Sequence, residues 1–183
     1  MNTNLFLSIN DLAGKNPLLD SVMVFSADSL IYILFLAAFV CVAYLAYKRQ
    51  WRQIMIVGIA LAVSFVIRFI LSKLFISDRP FVDHTITQLL PHAANQSFPS
   101  DHATAAFAIA LAILALTRLK KTGWILLAIA AMIGFARIYT GVHYPLDVIG
   151  GLITAIAGVS ITLGITKLLP TKQSVQFDAK SDT

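Results

Sequence analysis

Long runs of apolar residues, most about as long as a bilayer's hydrocarbon core is thick, alternate along this chain with short polar stretches. Five runs stand out: Ser29 to Tyr47, Gln53 to Phe75, His102 to Thr117, Gly123 to Thr140 and Val148 to Thr166, of which the third is the shortest. Within them the apolar residues are nearly continuous and lack the periodic stripe of a helix that faces water on one side. The pattern predicts an all-α fold: a polytopic transmembrane helix bundle of about five spans. Ahead of it, Leu5, Phe6, Ile9 and Leu12 recur at helical spacing among Ser8, Asn10 and Asp11, which predicts a helix lying in the membrane interface and ending at Asn16 and Pro17. Leu18 to Phe25 reads as a second short helix leading into the first span. Residues 1–169 are expected to form one membrane-embedded domain, and residues 170–183 a polar, disordered cytoplasmic tail. Met1 to Asn4 lack the basic stretch of a secretory leader, so no cleaved leader is expected.

Composition agrees with this pattern, because 58% of the 183 residues are hydrophobic and only 13% are charged. Lys and Arg outnumber the acids by 14 to 9, but the cations are dispersed at the ends of apolar runs and form no nucleic-acid groove. Lys48, Arg49 and Arg52 follow the first span, Arg118, Lys120 and Lys121 the third, and Lys167, Lys172 and Lys180 the fifth. All three clusters fall on one side, which the positive-inside rule makes cytoplasmic, and Trp51 and Trp124 fall at the same boundary. Cys41, alone in an apolar run, offers neither a disulfide nor a thiolate metal site.

The other side receives residues 76–101 and 141–147, and with them His84, His92, His102 and His143 together with Asp78, Arg79, Asp83, Asp101, Arg137 and Asp147. Ionisable groups are costly near a membrane, and so many on one face point to function. Three groupings carry the chemistry. Arg79-Pro80 offers a planar fork of donors suited to phosphate oxygens, although a lone Arg at an interface is also an ordinary anchor. In Ser97-Phe98-Pro99-Ser100-Asp101-His102, Ser100 is a good N-cap, which puts Asp101 and His102 in a first turn whose free N–H groups favour an anion; an ordinary capped helix start reads the same way. In Arg137-x5-His143-x3-Asp147, Pro145 begins a helix, and Asp147 can hold one imidazole nitrogen of His143 and leave the other free to attack. Its bland alternative is a structural Arg, His and Asp network.

Taken together, these residues resemble the type 2 phosphatidic acid phosphatase superfamily, whose pattern is Lys-x6-Arg-Pro, then Pro-Ser-Gly-His, then Ser-Arg-x5-His-x3-Asp. The match runs from about Lys73 to Asp147, with three departures. Lys73 is one residue too close to Arg79, so that Ser72 occupies the expected position; Asp101 replaces the glycine; Ala136 replaces the serine before Arg137. Arg68 lies one turn from Ser72 on the same face, so Lys73 and Arg68 are both available as the missing cation. The resemblance implies His143 as nucleophile, Asp147 as its orienting partner and His102 as general acid and base. It implies Arg79, Arg137, Ser100, Asp101 and Lys73 as the phosphate-binding set, with no metal and no cofactor. Leu90-Pro91-His92-Ala93-Ala94 leading into Ser97 to His102, with Arg79-Pro80-Phe81 upstream, looks like the bacitracin-resistance type of undecaprenyl diphosphate phosphatase. That subgroup implies an isoprenoid diphosphate as substrate, with phosphatidic acid or phosphatidylglycerol phosphate as alternatives, and no nucleic-acid partner. A small transporter, a metal-dependent membrane hydrolase and a vanadate-dependent oxidase are the competing classes. The first predicts ionisable groups deep in several spans, whereas only Arg68 lies well inside one. The second places a cation among arginines.

Overall fold

The computed structural model describes residues 2–168, and among them the chain is helical with no strand. The tail from Pro170 to Thr183, with Lys172 and Lys180, lies outside the described residues. In order, the helices are α1 (Asn2–Asn10), α2 (Pro17–Asp28), α3 (Leu30–Tyr47), α4 (Trp51–Leu74), the single turn α5 (Pro80–Asp83), α6 (Asp101–Leu116), α7 (Lys120–Tyr139) and α8 (Pro145–Leu168). Four of them, α3, α4, α7 and α8, are long and apolar enough to cross a membrane. The fifth expected span, α6, has 16 residues, about 24 Å of helix, and it is the centre of the bundle. It packs on α3, α4, α7 and α8, and Ala103 to Ala110 are buried without a break. An all-round buried helix needs small side chains where its neighbours come close, and α6 supplies alanine at 103, 105, 106, 108, 110 and 112.

Glycines on α8 complete this close packing. A Cβ added at Gly151 would lie 2.9 Å from the backbone nitrogen of Thr104 on α6, and one at Gly158 would lie 2.8 Å from that of Ser64 on α4. The hydroxyls nearby are spent internally: Ser64 donates to Ala60 O, Thr154 to Gly150 O and Thr162 to Gly158 O, at 2.7–2.8 Å. Because backbone cannot yield as a side-chain tip can, Gly158→Val has to push α8 off α4. The expected cost is about 1–3 kcal/mol, read as a lowered unfolding temperature in detergent; an unchanged melt would show that the two helices are not held this closely.

The N-terminal helices differ from the expectation at their junction. Asn16 and Pro17 do not end the first helix; they start the second, with the Asn16 side chain accepting from Leu18 N and Leu19 N and Pro17 in the first turn. Helix α1 stops at Asn10 because that side chain is engaged across the fold: Asn10 Nδ2 donates to Thr87 O and Tyr139 O, and Oδ1 accepts from Thr87 N. Phe6 is fully buried and packs edge-on against Tyr144, ring centroids 5.2 Å apart. Tyr139 Oη donates to Asp20 Oδ1 at 2.7 Å. The N-terminal segment thus buttresses the turn between α7 and α8. At the other end of the bundle, Lys120 caps α6 by donating to Leu114 O.

Candidate active site

The end of the bundle opposite Lys48, Lys120 and Lys167 gathers the C-termini of α4 and α7, the N-termini of α6 and α8, and residues 75–100 with the single turn α5. Gly141, at φ 82°, lets the chain reverse after α7, and the freed carbonyl of Arg137 accepts from Val142 N and His143 N. Ser100 N donates to Asp147 O at 3.0 Å, which ties the start of α6 to the start of α8. The two loops on which the sequence motifs lie therefore meet.

Arg79 laces this junction. Its Nε donates to Asn95 Oδ1 at 2.9 Å and to Asn95 O, its Nη1 to Val142 O at 2.9 Å, and its Nη2 to Gln96 O at 3.5 Å. Nη1 also stands 3.3 Å from His143 Nε2. A guanidinium only donates, so Nε2 carries the lone pair and the proton of neutral His143 sits on Nδ1. That Nδ1–H faces Ser97 Oγ at 3.2 Å, and Ser97 Oγ in turn donates to Asp147 Oδ2 at 2.5 Å. Asp147 Oδ2 also accepts from Tyr144 N at 2.8 Å and lies 3.4 Å from Nδ1. The expected His143–Asp147 pairing is thus present with a serine seated in it. His143 and Asp147 are each 2% exposed. Burial, reinforced by Arg137 and Arg79 against the pull of Asp147, pushes the His143 pKa down to about 3 and keeps the ring neutral. Burial also draws the Arg79 pKa below its ordinary value, opposed by Asp147 and Asp101.

Arg137, in the last turn of α7, is 2% exposed. Its Nη1 donates to Ala27 O at 3.3 Å, while its buried Nε and Nη2 meet no acceptor. Donors on a buried cation are rarely left idle without functional cause. The Arg137 carbonyl accepts from His143 N at 3.2 Å, so the residue adjoins the His143 turn, and its charge acts on His143, His102 and Arg79.

At the start of α6, Ser100 is buried and caps the helix, its side chain accepting from Ala103 N. His102 lies within the influence of Arg137, Arg79, His92 and Asp28. It also borders an apolar cavity of about 240 Å³ between α3, α4 and α6, lined by Ile31, Tyr32, Phe35, Phe65, Asp101, His102 and Ala105. Asp101 points to a cation rather than into the arginine cluster: its Oδ1 is 2.5 Å from Arg68 Nε. Lys73 is not brought in. It is exposed, its ammonium 5.5 Å above the Phe69 ring, while Ser72, at the position where the superfamily pattern has lysine, is the buried neighbour. A one-residue offset rotates a helical side chain by about 100°, which is why the displaced lysine faces outward.

Sequence reasoning gave no role to Ser97, Asn95 or His92. Ser97, 1% exposed, stands inside a motif read for its capping serine, and its neighbour pattern carries no sign that it bridges to a residue 50 positions away. Asn95 holds Arg79 through a loop contact that no periodicity encodes. His92 stacks edge-on to His143 at 6.5 Å between centroids, with burial drawing its pKa down.

The chain is also similar to known proteins. The PAP2 superfamily model matches residues 53–169. Undecaprenyl-diphosphatase BcrC of Bacillus subtilis (strain 168) is 40% identical over 158 residues, 85% of this chain and 79% of the relative. The crystal structure of Aquifex aeolicus LpxE superimposes with a TM-score of 0.72 at 30% identity, covering 89% of this chain and 94% of that one. The PAP2-type phosphatidylglycerolphosphate phosphatase of Bacillus subtilis shares the fold, with a TM-score of 0.66 at 20% identity over 93% of this chain and 88% of that one. With apolar helices long enough to span a bilayer and a buried cluster of histidine, aspartate and arginine at one end of them, the chain belongs to the PAP2 superfamily and is a multi-pass membrane lipid phosphatase.

Proposed function

We propose that the protein removes the terminal phosphate of an isoprenoid diphosphate, undecaprenyl diphosphate in the first place, through a phosphohistidine intermediate at the extracytoplasmic face. The observation that carries this reading is the pair of idle donors on Arg137 beside a neutral His143 whose Nε2 faces Arg79. Nε2 attacks the terminal phosphorus; the bond from phosphorus to the bridging oxygen breaks, and His102 gives that oxygen its proton. Water then attacks the phosphorus, His102 takes its proton, and the P–N bond breaks to release inorganic phosphate. Arg137 and Arg79 hold the phosphoryl oxygens while charge shifts between them. Ser97 and Asp147 receive the Nδ1 proton's partial charge as the ring becomes cationic. Neither step requires a metal.

The extracytoplasmic assignment rests on the cations at the far ends of the same helices, Lys48, Arg49 and Arg52, Arg118, Lys120 and Lys121, and Lys167. The substrate assignment rests on the apolar cavity that opens beside His102 and on the similarity to the Bacillus subtilis undecaprenyl-diphosphatase. Phosphate release by purified protein in detergent tests the substrate and the chemistry, with isoprenyl diphosphates, phosphatidic acid and phosphatidylglycerol phosphate as the panel. The isoprenyl diphosphate is expected to show the highest kcat/KM. A clear preference for a glycerophospholipid would overturn the substrate, and no release from any lipid would overturn the chemistry.

A further inference from the structure

Arg68 sits in the membrane-spanning helix α4, one turn below Ser72, with its side chain 22% exposed. A cation at that depth is expensive to keep, and its one ion pair does not account for it. Asp101, the partner, is 59% exposed, and although Nε and Oδ1 are 2.5 Å apart the N–H is not aimed along that line, so Nε has no hydrogen bond. Among the described residues no acceptor is aligned with Nη1 or Nη2 either. The carboxylate therefore holds the guanidinium in place from one edge and leaves the outer edge of the fork unspent. Asp101 and His102, adjacent in the first turn of α6, both line the apolar cavity between α3, α4 and α6.

Building on the isoprenoid diphosphate reading above, we infer that Arg68, positioned by Asp101, binds the second phosphate of the substrate, the one that stays on the lipid. Geometry orders the pieces. The reacting phosphate lies between His143, Arg79 and Arg137; the bridging oxygen lies at His102; the lipid chain leaves through the apolar cavity. A diphosphate must then place its proximal phosphate where the polar cluster gives way to the cavity, and Asp101 brings Arg68 to that border. Its anionic charge is neutralised there, and the charge that builds on the same phosphate as it becomes the leaving group meets the same guanidinium. A lipid monophosphate has an ester oxygen and carbon at this place and gains little from Arg68. Arg68 is therefore a specificity residue, and Asp101 its positioning partner.

The test compares kcat/KM for a short isoprenyl diphosphate and for the matching isoprenyl monophosphate, in detergent, for wild type, Arg68→Gln, Arg68→Lys and Asp101→Asn. In Arg68→Gln the diphosphate-to-monophosphate ratio is expected to fall by about tenfold to a hundredfold, the loss of one or two charge-assisted hydrogen bonds. Arg68→Lys should recover part of it, and Asp101→Asn should lower the ratio in the same direction by a smaller factor. A merely structural ion pair would lower both substrates together and leave the ratio unmoved, which would overturn the inference. So would a ratio unchanged because neither substrate is affected. If Arg68→Gln does not fold, Arg68→Lys and Asp101→Asn carry the same comparison. A wild-type enzyme that hydrolyses monophosphates but no diphosphate would defeat the substrate reading itself, and the inference with it.

Discussion

His143→Ala is expected to lower turnover of every substrate by about 10³-fold or more, with little change in KM and without loss of the fold. In the proposed scheme the imidazole forms the bond to phosphorus, and the His92 ring, 6.5 Å away between centroids, is too far to take the same in-line position. Its Nε2 lone pair is kept available by burial, with a pKa near 3. Protonation silences it only in strong acid, so an acid limb of the rate profile near pH 6.5 should be assigned to another group. Rapid quenching in alkali of wild-type enzyme with labelled substrate should trap a protein-bound phosphate that acid releases, as a phosphoramidate does, and the His143 variant should trap none. Full turnover by His143→Ala, or an acid-stable phosphoenzyme in its place, would contradict the scheme. His102→Ala separates the two histidines, since it should penalise lipid substrates more than an aryl phosphate whose leaving group needs no proton.

Arg137 yields the second large effect, and one whose sign differs between activity and stability. Arg137→Gln removes a buried cation whose Nε and Nη2 have no partner in the protein, so the fold should lose little and can gain. Activity should fall by about a hundredfold or more, the scale seen when one preorganised donor to a developing charge is removed. Arg137→Lys keeps the charge but not the fork, and should recover only part of that loss. Binding supplies an independent readout. Vanadate or inorganic phosphate should raise the unfolding temperature of the wild type by preferential binding to the folded state, and this rise should vanish in Arg137→Gln. An Arg137→Gln enzyme that unfolds at markedly lower temperature yet still responds to vanadate would make Arg137 a structural residue.

The active site also shows how an N-terminal segment can matter without touching chemistry. Phe6 and Asn10 of α1 hold Tyr144 and Tyr139 on either side of the turn that presents His143, so α1 supports that loop from behind. Its place in the sequence betrays only that it is amphipathic.

By itself, the sequence determined the helical membrane architecture and pointed to the candidate reactive groups. Apolar runs dictate helices because a bilayer leaves backbone polar groups no other way to be satisfied, and a histidine, an aspartate and two arginines at the ends of those runs have few roles other than handling an anion. The lengths were legible too: the shortest run, read as His102 to Thr117, is α6 displaced by one residue, and its 16 residues form the helix that the packing places at the centre of the bundle. Tertiary structure alone decided which groups touch. Ser97 seats itself between His143 and Asp147, Asn95 grips Arg79, Asp101 turns to Arg68, and Lys73 faces away beside a buried Ser72. Periodicity and capping are properties of a few neighbouring residues, whereas each of these partnerships joins distant segments or depends on a rotation of one helical position. Only the packing of α4, α6, α7 and α8 around one end of the bundle sets those distances.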